Sequence, residues 1–227
     1  MREDLKSLSR IARDDGFRAF SAKYYGREVQ LDHIMSIETP KGDEAITPWH
    51  TDANFPADKM RPADRFTLKF FIYMNDVGAE NGAFAYARGT HRIVTVLREG
   101  INEGAFPHFW TARFDEMEKQ LATPKVAEYV RTRLRPEEIA FFLETAKRTE
   151  YGAATPDDMY LKGPAGTLAV FDDRGMHRGG VPVSGNRSVL RYNYIPTPYW
   201  REQFTWPRYA INRALTSLLP RELQSHW

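Results

Sequence analysis

A β-strand pattern is clearest at residues 66–74, which read FTLKFFIYM. Successive side chains of a strand point to opposite faces, so every second residue shares a face. One face is entirely apolar and consists of Phe66, Leu68, Phe70, Ile72 and Met74. The other face consists of Thr67, Lys69, Phe71 and Tyr73. This alternation predicts a strand with one apolar face and one face that carries a lysine among aromatic residues.

Further strands are predicted on both sides of this stretch, at residues 29–38, 83–87, 167–171 and 187–195. Between them, the composition changes to Glu, Lys, Arg and Leu, and helical periodicity predicts helices at 114–121, 126–134 and 137–146. Pro124 and Pro136 fit the first turns of the second and third of these. Helical spacing also predicts helices within 3–25 and 209–219. We therefore expect one β-rich domain over residues 1–227 with flanking helices and a helical insertion at about 98–162.

The composition excludes several classes of protein. Of 227 residues, none is Cys, which rules out disulfides, thiolate catalysis and Cys-ligated metal clusters. Lys and Arg total 32 against 30 Asp and Glu, without a basic cluster, so we expect no nucleic-acid partner. No apolar run approaches the roughly 20 residues that span a bilayer, and the charged start lacks the apolar core of a signal peptide. We therefore expect a cytoplasmic protein without a membrane partner.

Three short motifs together suggest a metal site with nitrogen and oxygen ligands. His50 and Asp52 stand two residues apart, so in an extended segment their side chains point the same way. A strand pattern then ends in a turn that carries His177. Two histidines and one carboxylate are the ligands of a facial triad, which leaves the other metal positions open. Ten residues after His177, Arg187 begins a strand, and its planar guanidinium suits a carboxylate.

In this order and spacing the motifs resemble the phytanoyl-CoA dioxygenase-like (PhyH-type) family of Fe(II)/2-oxoglutarate-dependent oxygenases. The resemblance runs from about residue 48 to 194. Its most specific blocks are the one from Glu-Asn-Gly82 to Gly89-Thr-His-Arg and the one that reads FDDRGMHRGG at residues 171–180. Arg88 departs from the Pro that the family often has before its Gly-Ser/Thr-His turn. The resemblance implies a double-stranded β-helix, or cupin-like jelly roll, whose two sheets enclose the metal.

The resemblance also implies roles for individual residues. His50, Asp52 and His177 correspond to the iron ligands, and Arg187 to the arginine that pairs with the distal carboxylate of 2-oxoglutarate. Arg191 is a second and less favoured candidate for that role. If the face with Lys69 and Phe71 looks into the jelly roll, these two residues line the cosubstrate pocket; otherwise Lys69 is a surface lysine. The implied cofactors are Fe(II), the cosubstrate 2-oxoglutarate and dioxygen.

The implied reaction is hydroxylation of an unactivated C–H bond in a small molecule, with release of succinate and carbon dioxide. The carboxylate at Asp52 favours hydroxylation over halogenation, while desaturation, epoxidation and cyclisation stay open. One alternative is a non-oxidative, cupin-like metal-binding isomerase or sensor, and another is a metal-free binding module. The substrate and the oligomeric state are left undetermined.

The helical insertion is expected to act as a lid or pocket wall. Its aromatic residues either line an apolar pocket or pack in a helical core: Phe106, Phe109, Trp110, Phe141 and Phe142. The aromatic residues near the end of the sequence either close over the site or form a dimer contact: Tyr199, Trp200, Phe204 and Trp206. Among the other histidines, His91 is assigned to a structural turn, and His33 is expected to lie in a strand without a useful partner.

Overall fold

The structure is a computed structural model that describes residues 16–42, 48–52, 68–107, 109, 111, 113–149 and 154–196. The chain divides into two compact units, Met1–Pro196 and Thr197–Trp227, and every described residue lies in the first. The prediction of a single domain over residues 1–227 therefore stays a prediction. The predicted helix at 209–219, the C-terminal aromatic residues, residues 3–15 and Trp110 lie outside the described residues.

Helices and strands alternate along the described part of the chain. The helices are α1 (Gly16–Tyr25), α2 (Thr90–Asn102), α3 (Phe114–Leu121), α4 (Pro124–Arg131) and α5 (Pro136–Arg148), with a 3-10 turn at Asp157–Met159. The strands are β1 (Val29–Thr39), β2 (Leu68–Tyr73), β3 (Ala85–Tyr86), β4 (Leu168–Asp172), β5 (His177–Arg178) and β6 (Arg187–Pro196). The expectation of a mainly β protein is too narrow, because helices hold more of the described residues than strands do.

The strands form two antiparallel sheets. The larger sheet has the order β1-β6-β2-β4, and the smaller sheet pairs β3 with β5. The predicted strands all occur, with ends that differ by a few residues. The helix α2 was not predicted: the Gly89-Thr-His-Arg turn continues into thirteen helical residues. Gly89 precedes it with φ 81°, a left-handed conformation that favours glycine.

The larger sheet is buried on both faces around β2. On one face, Leu68 and Phe70 pack with Tyr192 and Tyr194 of β6 and with α1, whose Phe17 ring stacks on Phe70 at 4.4 Å between centroids. On the opposite face, Phe71 and its neighbours pack against the smaller sheet. We call this second face the site face. It carries Lys69, Phe71 and Tyr73 of β2 and, by strand register, Arg187, Val189, Arg191 and Asn193 of β6.

The helices α2 to α5 have their own apolar core. Phe106, Phe109 and Phe142 are buried in it, so these three side chains follow the core-packing alternative, whereas Phe141 is half exposed. Within the described part of the chain, none of the helices has the length and apolar character needed to cross a bilayer.

Candidate metal centre

Three side chains from two segments of the chain converge at the smaller sheet. The Nε2 atom of His50 lies 3.1 Å from Oδ1 of Asp52, and Nε2 of His177 lies 3.6 Å from the same oxygen. All three potential ligand atoms lie within 4.8 Å of one another. Atoms that each bind one metal at about 2.0–2.2 Å lie about 3 Å apart in adjacent positions. The donor set and its spacing therefore suit a divalent metal with open positions.

Backbone pairing places the two histidines opposite each other. The amide of His50 donates to the carbonyl of His177 at 3.0 Å, and the amide of His177 donates to the carbonyl of His50 at 2.9 Å. Asp52 extends the pairing, since its amide donates to the carbonyl of Asp173 at 3.2 Å. This antiparallel bridge fixes the register of His50 and Asp52 against His177, so the extended segment predicted around His50 supplies two side chains to one point.

Both imidazoles are held in the tautomer that metal ligation requires. Nδ1 of His50 lies 2.7 Å from the carbonyl of Pro48, and Nδ1 of His177 lies 2.8 Å from the carbonyl of Gly175. An acceptor at Nδ1 places the proton there and leaves the Nε2 lone pair free. Burial lowers the pKa of His50, and it lowers the pKa of His177 further, with His50 and Lys69 adding to the effect. Neutral imidazoles of this kind are the form that binds metals.

The helical core supports the histidine-bearing segments. Trp49 and Met176, the residues that precede the two histidines, are both buried in the core formed by α2 to α5. Because side chains alternate in extended backbone, His50 and His177 point away from that core. The helices α2 to α5 thus pack behind the two segments. The role of the helical insertion as a lid over the site stays a prediction.

A hydrogen-bonded turn delivers His177 from the end of β4. Asp172 accepts hydrogen bonds from the backbone amide and Nε of Arg174, both at 2.9 Å, and from the hydroxyl of Tyr24 at 2.7 Å. Its carbonyl accepts from the hydroxyl of Tyr86 at 3.0 Å. Burial acts to raise the pKa of Asp172, but the hydrogen bonds and charge of Arg174 outweigh it and hold the pKa below its usual value. These contacts fix the turn from several sides.

Lys69 lies in the site, as the alternation of β2 predicts, and is not a surface lysine. Its side chain is buried, and its Nζ donates to Oδ2 of Asp52 and lies 3.9 Å from Oδ2 of Asp173. Oδ1 of Asp52, the other carboxylate oxygen, faces both histidines. Burial lowers the pKa of Lys69 to about 8, while Asp173 acts to raise it. Lys69 therefore holds the carboxylate oxygen that does not face the histidines.

Aromatic rings surround His177 on the side of the larger sheet. The centroids of Phe84 and Phe171 lie 5.3 and 5.6 Å from that of His177. Phe71 contacts both phenylalanines, at 5.1 and 4.9 Å. Phe71 therefore belongs to an apolar wall beside the histidine, and its contact with a cosubstrate stays a prediction. Phe84 and Phe171 were missed, although Phe171 opens the block at residues 171–180, because a phenylalanine in a predicted strand is typical of an apolar core.

Arg187 lies at the other end of the site face. Its Nη1 donates to the carbonyl of Gly82, and Nη2 lies 3.1 Å from Oγ1 of Thr39. Gly179, two residues after His177, leaves room for this guanidinium, since a Cβ there would lie 3.2 Å from Nη2. The structure thus brings Arg187 beside the strand that carries His177. Its role in holding 2-oxoglutarate stays a prediction.

His33 has side-chain partners beside the site face, and among the described residues it belongs to no group of potential metal ligands. Its Nδ1 lies 2.9 Å from Oδ2 of Asp32, and its Nε2 lies 2.9 Å from Nη2 of Arg191. The strand register shifts between Leu31 and His33, which is a β-bulge at Asp32. The bulge was invisible in the sequence because an alternating pattern gives no warning of one extra residue.

Comparison with known proteins identifies relatives of this fold. The sequence profile of the phytanoyl-CoA dioxygenase (PhyH) family matches residues 5–188. No curated protein matches the chain in sequence.

The solved structures that match this one in part include proteins with iron or 2-oxoglutarate bound. HygX from Streptomyces hygroscopicus, solved with nickel, 2-oxoglutarate and hygromycin B, shares 17% identity at a TM-score of 0.47, over 83% of this chain and 64% of HygX. The epimerase SnoN, in complex with Fe3+, alpha-ketoglutarate and nogalamycin RO, shares 17% sequence identity with a TM-score of 0.48, and the match covers 84% of this chain and 59% of SnoN. EvdMO1 shares 15% sequence identity with a TM-score of 0.43, and the match covers 80% of this chain but only 30% of EvdMO1.

Proposed function

The chain belongs to the phytanoyl-CoA dioxygenase (PhyH) family, and on that premise we propose that it is an Fe(II)- and 2-oxoglutarate-dependent dioxygenase that hydroxylates a small molecule. The observation that carries this proposal is the convergence of His50, Asp52 and His177 beside a sheet face that also bears Arg187. Two imidazole nitrogens and one carboxylate oxygen form the donor set of a facial triad. The hydrogen bonds at both Nδ1 atoms support it, because they leave each Nε2 free for the metal.

When bound, iron and 2-oxoglutarate would supply oxidation by dioxygen: 2-oxoglutarate gives succinate and carbon dioxide, and one oxygen atom enters a C–H bond of the substrate. His50, Asp52 and His177 would hold the iron, and Arg187 would pair with the distal carboxylate of 2-oxoglutarate. Lys69 would keep Oδ2 of Asp52 occupied so that Oδ1 stays directed at the metal. Phe71 and its aromatic neighbours would exclude water from the reacting atoms.

The remaining architecture fits this activity. We propose that the two antiparallel sheets are the halves of a jelly roll, because Phe84, just before β3, packs against Phe71 and Phe171 of the larger sheet. A cytoplasmic location and a single oxygenase domain over residues 1–227 are part of the same proposal. Hydroxylation is its specific reaction, with a substrate that is a small organic molecule.

Succinate formation tests the proposal. Purified protein supplied with iron(II), dioxygen and 2-oxoglutarate labelled at C1 should release labelled carbon dioxide and an equal amount of succinate, even slowly without substrate. His177→Ala should abolish both products. Metal binding without succinate would contradict the proposal and is the result that a non-oxidative isomerase or sensor would give. Absence of metal binding would indicate a metal-free binding module.

A further inference from the structure

The site face has a polar end whose hydrogen-bonding groups the metal centre does not use. Lys69 of β2 stands opposite Asn193 of β6, and Phe71 stands opposite Arg191. Cross-strand partners project from the same face, so Arg191 and Asn193 lie beside Lys69, whose Nζ contacts Asp52. Arg191 also acts electrostatically on His177 and Lys69, which places its charge in the same site.

Arg191 is held in place, but not all of its hydrogen-bond donors have a partner among the described residues. Its Nη2 contacts Nε2 of His33, whose Nδ1 faces Asp32. With the proton on Nδ1, His33 donates to Asp32 and accepts from Arg191, so this chain of contacts fixes the guanidinium. The buried Nε of Arg191 has no hydrogen-bond partner among the described residues, although Asp173 and Asp32 act electrostatically on the guanidinium.

Asn193 presents the complementary group. The residue is 3% exposed, and within the described part of the chain its Oδ1 lacks a hydrogen-bond partner. A buried polar atom without a partner is unfavourable, and such atoms are normally completed by the protein, by water or by a bound group. Nε of Arg191 and Oδ1 of Asn193 are thus a donor and an acceptor whose hydrogen bonds the described residues do not complete.

From these contacts we propose that Arg191 and Asn193 form a substrate subsite that binds a carboxylate through Arg191 and a neighbouring hydroxyl or amino group through Asn193. The inference rests on the proposed function, since it names the class of substrate for the same site. It would make the substrate a hydroxy acid or amino acid derivative. The geometry favours substrate over cosubstrate, because Arg187 and Arg191 are four residues apart on one strand, which corresponds to about 13 Å. The two guanidinium groups also have different partners, Gly82 and Thr39 for Arg187 and His33 for Arg191, so we assign them different carboxylates.

Nuclear magnetic resonance of the Arg191 Nε–H group tests the subsite without turnover. Protein with isotope-labelled arginine is loaded with Ni(II) and 2-oxoglutarate, and the resonance is assigned with Arg191→Lys. Acetate should shift it saturably, whereas acetamide, which has the same shape without the charge, should not. Glycolate, which adds a hydroxyl next to the carboxylate, should bind about 2–10-fold more tightly than acetate, as one further neutral hydrogen bond gives.

The variants separate the two parts of the subsite. Asn193→Ala should remove the advantage of glycolate over acetate, and Arg131→Lys, an exposed arginine on α4, should change nothing. The acetate, acetamide and glycolate comparison in the unaltered protein decides the matter even if Asn193→Ala does not fold. A resonance that ignores acetate, or that responds equally to acetamide, would overturn the subsite.

A titration with 2-oxoglutarate shows whether the carboxylate that Arg191 binds belongs to the substrate or to the cosubstrate. A saturable shift of the Arg191 resonance when 2-oxoglutarate is added to the Ni(II)-loaded protein would assign the group to the cosubstrate and overturn the substrate subsite. Under the proposal, Arg191→Lys binds 2-oxoglutarate within about threefold of the unaltered protein. Succinate formation by the unaltered protein tests the proposed function separately, so failure of the subsite is distinguishable from failure of the proposed function.

Discussion

His50 and His177 exchange both of their backbone hydrogen bonds, at 3.0 and 2.9 Å, although 126 residues separate them in the chain. Their ring centroids lie 4.5 Å apart as a result. The preceding residues, Trp49 and Met176, are buried in the helical core on the other side. The spacing of the two imidazoles is therefore set by backbone pairing and by core packing before any metal binds, which makes the centre preorganised.

Replacement of Arg187 should weaken 2-oxoglutarate binding selectively. Arg187→Met removes hydrogen bonds to a charged group, which are worth about 1.5–3 kcal/mol, so we expect about a 10–150-fold higher dissociation constant. Titration of the Ni(II)-loaded protein with 2-oxoglutarate measures this dissociation constant. Arg131→Met serves as the control on an exposed helix position. An unchanged dissociation constant in Arg187→Met would assign the distal carboxylate to another residue.

Removal of the Lys69 charge should destabilise the metal-free protein. Lys69→Met removes the ammonium group that lies 3.9 Å from the buried carboxylate of Asp173 and frees Oδ2 of Asp52. Loss of one partner from a buried ion pair costs about 3 kcal/mol or more. Urea denaturation should show this loss, and Ni(II) should restore part of it, because the metal returns a positive charge to Asp52. Lys41→Met, at an exposed position, should have almost no effect. Equal stability of the two variants would contradict the assigned role.

Replacement of Arg174 should make the protein unfold in acid at a higher pH. The folded-state pKa of Asp172 lies below its usual value, so this carboxylate contributes stability above the unfolded pKa of about 3.9, and the contribution is lost as the pH falls through the folded pKa. In Arg174→Met, burial is no longer opposed by the guanidinium and raises the pKa of Asp172. The midpoint of acid unfolding, followed by circular dichroism, should then move to higher pH. Arg18→Met, which breaks the exposed pair with Glu28, is the control and should leave the midpoint in place. A shift of equal size in both variants would contradict the assignment.

Much of this arrangement could be predicted from the sequence. Strand alternation placed Lys69 and Phe71 on the site face, and Pro124 and Pro136 do stand at the first positions of α4 and α5. The two-residue spacing of His50 and Asp52 correctly implied that their side chains point together.

Other features depend on long-range packing and could not be predicted. The bulge at Asp32 gives His33 its contact with Arg191, and it leaves no mark in the local pattern. Phe84 reaches His177 through long-range packing with Phe71 and Phe171 of the larger sheet. The helix α2 was missed because its start was interpreted as a turn that ends at Arg92.

Anaerobic titration with iron(II) and 2-oxoglutarate tests the metal centre most directly. We expect a weak visible charge-transfer absorption in the unaltered protein, which arises only when 2-oxoglutarate chelates the bound metal. This absorption should be lost in His177→Ala and in the double variant Asp52→Ala/His177→Ala, and it should be unchanged in Arg131→Met. Absorption of full intensity in the double variant, or its absence from the unaltered protein, would contradict the assignment of His50, Asp52 and His177 as the iron ligands.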